Sequence, residues 1–192
     1  MSFSPERYDP GMRRFVTLAL VSTMAGVLVL AQARKETVDG IRNFTWVDAT
    51  VACAGATEAR AIPAIAARGY RSIVNLRLAT ETGAAIDESR AAAVAAGVTF
   101  IHLPFDGGKP DTAVVDAFLE AVTDPANQPV FIHCGSGSRA AAMWLTKRML
   151  VDKWDQARAL EEAKVIGLSS PALEKFALDY VAAHIKAVAS GF

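Results

Sequence analysis

Val130-Phe131-Ile132-His133-Cys134-Gly135-Ser136-Gly137-Ser138-Arg139, running into Ala140-Ala141-Ala142-Met143-Trp144, is the stretch that decides the fold. Pro129 to His133 is a short apolar run without polar alternation, the pattern of a strand buried on both faces. Two glycines then permit a tight loop, and an Ala-rich segment, Arg139 to Val151, reads as a helix. Strand, glycine loop and helix form one unit of a parallel sheet.

The flanking sequence repeats that unit. Ser72 to Leu76 and Val98 to Leu103 read as further strands, the second stopped by Pro104, and Thr45 to Ala54 as a strand or short hairpin bounded by Gly55. Helices are predicted over Thr57–Ala67 (capped by Thr57, broken or kinked at Pro63), Glu81–Ala96 (ended by Gly97), Thr112–Val122, about 155–165, and 171–188 behind Ser170-Pro171. Alternating strands and helices predict an α/β fold: a central, mostly parallel sheet with helices on both faces. Ligands of such sheets bind beyond the carboxyl ends of the strands. Three segments are thereby singled out, after Leu76, after Leu103 and after His133.

Composition narrows the function classes. The 192 residues are 52% hydrophobic and 21% charged, with 20 basic and 20 acidic side chains, so no basic face marks a nucleic-acid binder. Two cysteines cannot build a disulfide framework or a zinc finger, and no His/Cys/Asp cluster has metal-ligand spacing. Arg13-Arg14, the apolar run Phe15–Leu30 and the Ala31-Gln32-Ala33 exit form a secretory pattern with cleavage after Ala33. Left uncleaved, residues 15–33 would nearly cross a hydrocarbon core of ~30 Å as an anchor. A cytosolic amphipathic or core helix is the third reading. The expectation is residues 1–33 as signal peptide or membrane anchor, residues 34–192 as one exported, periplasmic domain, and membrane contact only through residues 15–33. The domain keeps 17 basic against 18 acidic residues.

The loop itself carries the chemistry. Its glycines let successive N–H groups turn inward as an anion nest, and the following helix adds its free N–H groups and dipole. Cys134 at that rim is expected to be a reactive thiolate. Arg139 offers a planar fork for two oxygens of a phosphate. The alternative is an inert buried cysteine in a strand-to-helix turn.

HCGSGSR resembles the signature loop of cysteine-dependent tyrosine and dual-specificity phosphatases. The wider chain, from about Ile41 to Tyr180, is similar to the small beta-lactamase-hydrolase-like protein phosphatase-like family, through GYRSIVNLR (69–77), AGVTFIHLPFD (96–106) and WDQARALEEAKVIGL (154–168). The resemblance implies a cysteine-phosphatase-like fold and hydrolysis of a phosphate monoester without cofactor or metal. It implies Cys134 as nucleophile, with Arg139 and the amides of Gly135, Ser136, Gly137 and Ser138 on the phosphate oxygens. Asp106 matches the general acid, with Asp111 in reserve or capping the next helix, and His133 supports the loop through hydrogen bonds. The phosphorylated substrate stays open among protein, lipid and small molecule.

Two features depart from the phosphatase pattern. Four residues separate Cys134 from Arg139 where phosphatases have five; rhodaneses share the shorter loop, so persulfide or sulfurtransferase chemistry at Cys134 is the alternative. Ala140 replaces the hydroxyl residue that follows the arginine, which predicts slow turnover unless Ser136 or Ser138 substitutes, and leaves room for a non-catalytic phosphate-binding module. Among the remaining residues, Arg77 either binds substrate anion or pairs with Glu81. His102 reads as a core histidine, Met143, Trp144 and Leu145 as core, and the charges of 152–164 as a solvated face. Cys53 is a buried thiol or a disulfide partner of Cys134.

Overall fold

The computed structural model describes residues 33–191. The predicted export segment, apart from Ala33, lies outside them. Strands β1 (Arg34–Lys35), β2 (Thr45–Asp48), β3 (Val51–Ala54), β4 (Ser72–Asn75), β5 (Thr99–His102) and β6 (Val130–His133) form one sheet, ordered β1-β2-β3-β6-β4-β5. β3, β6, β4 and β5 run parallel, while β1 and β2 add an antiparallel edge. Thr45–Ala54 is thus a hairpin, closed by Asp48, whose Oδ1 accepts from the N–H and the hydroxyl of Thr50, each at 2.7 Å.

Side-chain alternation along the central strands feeds two cores. Val51, Val74, Val130 and Ile132 face α3 (Thr112–Thr123), α4 (Ser138–Leu150), α5 (Gln156–Ile166) and α6 (Pro171–Ala189). Ala52, Ile73 and Phe131 face α1 (Ile62–Ala67) and α2 (Ile86–Ala95). The continuous apolar run of β6 follows from this, because both of its faces are covered. Met143, Trp144 and Leu145 are buried in α4, as expected.

Four expectations give way. Thr57 does not cap a helix: it bridges to Ile41, and its hydroxyl donates to Gly55 O. Pro63 opens α1 rather than kinking it, since the first turn needs no N–H from that residue. α2 begins at Ile86, not Glu81, because Arg77 captures the carbonyls of Thr82 and Gly83 at 2.7 and 2.6 Å, and Gly83 and Ala85 take positive φ. Nor is 152–164 a solvated face throughout. Arg148 lies over Trp144 and Trp154 and is buried, which requires counter-charges; Glu162, Asp152 and Asp48 supply them at 2.7–2.9 Å.

Candidate active site

The three segments beyond Leu76, Leu103 and His133 meet on one guanidinium. Arg139 Nη1 donates to Leu76 O at 3.2 Å and to Phe105 O at 2.9 Å. The loop from Cys134 continues the strand ladder, with Cys134 N–H on Ala54 O at 3.2 Å. It then turns so that Gly137 N–H points at Cys134 Sγ, 3.1 Å away. Gly137 has φ +108°, and a Cβ there would lie 2.6 Å from Asn43 Nδ2, so glycine is required twice over. The carbonyls of Gly135 and Ser136 accept from Ala56 N–H (2.9 Å) and Asn43 Nδ2 (3.2 Å). Ser138 Oγ accepts from Ser169 N–H and Ser136 Oγ from Ser138 N–H, which leaves each hydroxyl its own hydrogen to donate.

Glu81 stands at the centre of the charge arrangement. Its Oε1 and Oε2 accept from Arg139 Nη1 and Nη2 at 2.6 and 2.8 Å, and Oε2 accepts also from Arg77 Nε at 3.1 Å. Burial pushes the Glu81 carboxyl up, but hydrogen bonds from Arg139, the Leu78 N–H and Arg77 outweigh it and bring its pKa down to about 2. Two guanidinium groups against one carboxylate leave a net positive site. Every side-chain nitrogen of Arg77 is committed to residues 81–83, so the ion pair with Glu81 is present and binding of substrate by Arg77 would require breaking these bonds. Arg139 keeps Nε and one Nη2 hydrogen without a partner among the described residues.

The other sequence-selected residues fall at different distances from this centre. Asp106 is exposed on the segment whose Phe105 carbonyl holds Arg139, and its Oδ1 accepts from Gly108 N–H at 2.8 Å. Asp111 caps α3, accepting from Ala113 N–H. His133 is buried; burial and then the Arg77 charge push its pKa down to about 3, which keeps it neutral. Its ring stacks on Phe131, and its Nδ1 has no hydrogen-bond partner among the described residues. His102 bonds Arg77 O at 2.8 Å, a satisfied structural histidine. Cys53 and Cys134 are both free and buried, and burial pushes the Cys53 thiol well above its ordinary range.

Sequence reasoning passed over Asn43 and the bridging role of Glu81. The Arg77–Glu81 pair is one of the two alternatives the spacing offers, but nothing in the chain marks the reach of Glu81 to Arg139 or of Asn43 to Ser136.

A family model for the beta-lactamase hydrolase-like protein, phosphatase-like domain, matches residues 43–150, more than half of the chain. Beta-lactamase hydrolase-like proteins of Xylella fastidiosa and Agrobacterium fabrum are 34% identical over 102 residues and 29% identical over 129. Those alignments cover 51% and 65% of this chain but only 23% and 30% of the relatives, so the chain spans about a quarter of their length. Among solved structures, TpbA of P. aeruginosa superposes with TM-score 0.60 at 22% identity, covering 80% of this chain and 90% of that one. The core catalytic domain of the S. cerevisiae PP-IP phosphatase SIW14 gives 0.64 at 21%, covering 80% and 94%. Such identities speak to architecture alone. A glycine loop at the end of the central parallel strand, an arginine at the head of the helix behind it and the matched segment around them lead to one conclusion: the chain belongs to the beta-lactamase hydrolase-like protein, phosphatase-like domain family and has the cysteine-phosphatase fold.

Proposed function

We propose that the chain hydrolyses phosphate monoesters through a phosphocysteine on Cys134. The observation that carries this reading is the direction of the loop: Gly137 N–H points at Cys134 Sγ from 3.1 Å, and the Arg139 guanidinium at the head of the following helix interacts with the same sulfur. In the first step the Cys134 thiolate attacks phosphorus, the S–P bond forms and the ester P–O bond breaks. Asp106 gives the leaving oxygen its proton, while Arg139 and the amides of residues 135–138 hold the remaining oxygens. In the second step water attacks the phosphocysteine, Asp106 takes a proton back, and phosphate and thiolate separate. Ala140 offers no hydroxyl to the departing thiolate, so the second step limits turnover.

A TpbA variant has been crystallised with pTyr, which favours an aryl phosphate as first substrate. The four-residue spacing of the loop supports a second reading, sulfur transfer onto Cys134. The test is to incubate the protein with an aryl phosphate and, separately, with thiosulfate plus a thiol acceptor. Release of phosphate, lost in Cys134→Ser, is the expected result; release of sulfite with transfer of the outer sulfur through Cys134 to the thiol acceptor, without phosphate release, would replace the first reading by the second. The reading includes export, with Arg34 as the mature N-terminus; an intact Met1 in a soluble cytosolic fraction of the native host would remove it.

A further inference from the structure

Two carbonyls of the loop are held from behind. A trans peptide unit is planar, with C=O and N–H pointing in opposite directions. Ser136 C=O, fixed outward on Asn43 Nδ2 at 3.2 Å, therefore aims the N–H of the same peptide unit inward; that N–H is Gly137's, 3.1 Å from Cys134 Sγ. The Gly135 carbonyl, fixed on Ala56 N–H at 2.9 Å, does the same for Ser136 N–H. The Ala56 anchor is main chain and follows from strand geometry. The other is a single side chain.

Asn43 is placed for this task on every side. It sits at φ +54°, a left-handed conformation that asparagine tolerates better than most residues. Its second Nδ2 hydrogen goes to Ile166 O at 2.8 Å, in the last turn of α5. Its Oδ1 accepts from Lys35 Nζ in β1. The two carbonyls set which way the amide faces, because a reversed amide would turn its oxygen toward them, and the lysine holds the oxygen on the other side. Gly137 and Gly167 leave the space: a Cβ at either would approach Asn43 Nδ2 to 2.6 or 2.8 Å.

We infer that Asn43, oriented by Lys35, is a positioning residue that aims the Gly137 N–H into the anion cradle. The inference rests on the phosphate reading of the loop. Asn43 touches no substrate; it acts through the Ser136–Gly137 peptide, and it makes the N-terminal edge strand part of the site's support.

Three variants test it. Asn43→Gly keeps the left-handed backbone and loses both donors, Asn43→Asp keeps the shape but faces the carbonyls with acceptors, and Lys35→Met frees the amide. Removing an oxyanion donor costs ~10²–10³-fold, and mis-aiming one is expected to cost on the order of 10- to 100-fold in kcat/KM on an aryl phosphate for Asn43→Gly, more for Asn43→Asp, and about threefold for Lys35→Met. The inhibition constant of orthovanadate should rise in step, and Gly137 N–H should exchange faster with solvent. A merely structural role would lower Tm and leave the orthovanadate constant of the folded protein unmoved, which overturns the inference. So does an unchanged kcat/KM in Asn43→Gly beside an active parent. If the parent hydrolyses no phosphate ester, the underlying reading fails, and amide exchange decides the anchoring: faster exchange supports it, unchanged exchange ends it. Should the Asn43 variants not fold, Lys35→Met decides, an unchanged kcat/KM and exchange overturning the role.

Discussion

Glu81→Gln probes the charge arrangement around Arg139. The carboxylate serves four donors: Arg139 Nη1 and Nη2, Arg77 Nε and Leu78 N–H, at 2.6–3.1 Å. A glutamine has the same shape, but one end becomes an NH₂ group facing a guanidinium. Arg77, with 6% of its side chain exposed, then loses its counter-charge. Breaking a buried pair costs about 3–5 kcal/mol; Glu81 is 25% exposed, and screening by solvent reduces the expected loss to about 2 kcal/mol. In a domain of this size that corresponds to a Tm lower by about 4–8 °C at pH 7. The sign of the pH dependence follows from the depressed pKa. The Glu81 contribution is complete above its ordinary value of 4.5 and is lost as pH falls through about 2. Thermal melts of parent and variant between pH 7 and pH 2 should therefore start apart and converge on the acid side. Arg139 retains the Leu76 and Phe105 carbonyls, so kcat/KM should drop by about tenfold rather than vanish. Curves that stay parallel over the whole range, or an unchanged Tm at pH 7, would refute the bridging carboxylate.

The remaining expectations concern the chemistry and the rear of the sheet. Asp106→Asn should slow alkyl phosphates by ~10²–10⁴-fold and activated aryl phosphates far less; equal effects on both would transfer the acid role to another group. Stopped-flow release of an activated phenol should show a burst close to one equivalent of enzyme, with phosphocysteine trapped by acid quench, because the second step is slow; a linear trace would contradict that. Iodoacetamide near neutral pH should label Cys134 well before Cys53, whose thiol burial pushes up, and equal rates by mass spectrometry would remove the case for a reactive loop. Arg148→Met should cost about 3 kcal/mol, read by urea denaturation, since three carboxylates then lose their shared cation; a loss under about 0.5 kcal/mol would mean the cluster is fully solvated.

Much of this architecture was legible in the chain. The unalternated apolar runs at 72–76 and 130–133, each between turn residues, specify strands covered on both faces, and strands of that kind imply a parallel sheet. Cys134, the glycines and Arg139 lie within one turn of backbone, so their proximity is local and readable. Asp111 announced itself as a helix cap for the same reason. Where reading failed, the deciding contact was remote or competed with a local rule. Residues 81–85 look helical, yet Arg77 takes their carbonyls. The charges at 152 and 162 look solvated, yet a buried Arg148 collects them.

The sequence alone thus determined the α/β class and the strand-end location of the glycine loop with its cysteine and arginine, because periodicity and short-range spacing are properties of neighbouring residues. Only the tertiary structure decided that Glu81 bridges Arg77 to Arg139, and that Asn43, 93 residues before Ser136, holds the loop from behind. Those partners meet through strand order and sheet register, which set side chains from distant segments within hydrogen-bond reach and leave no local trace in the chain.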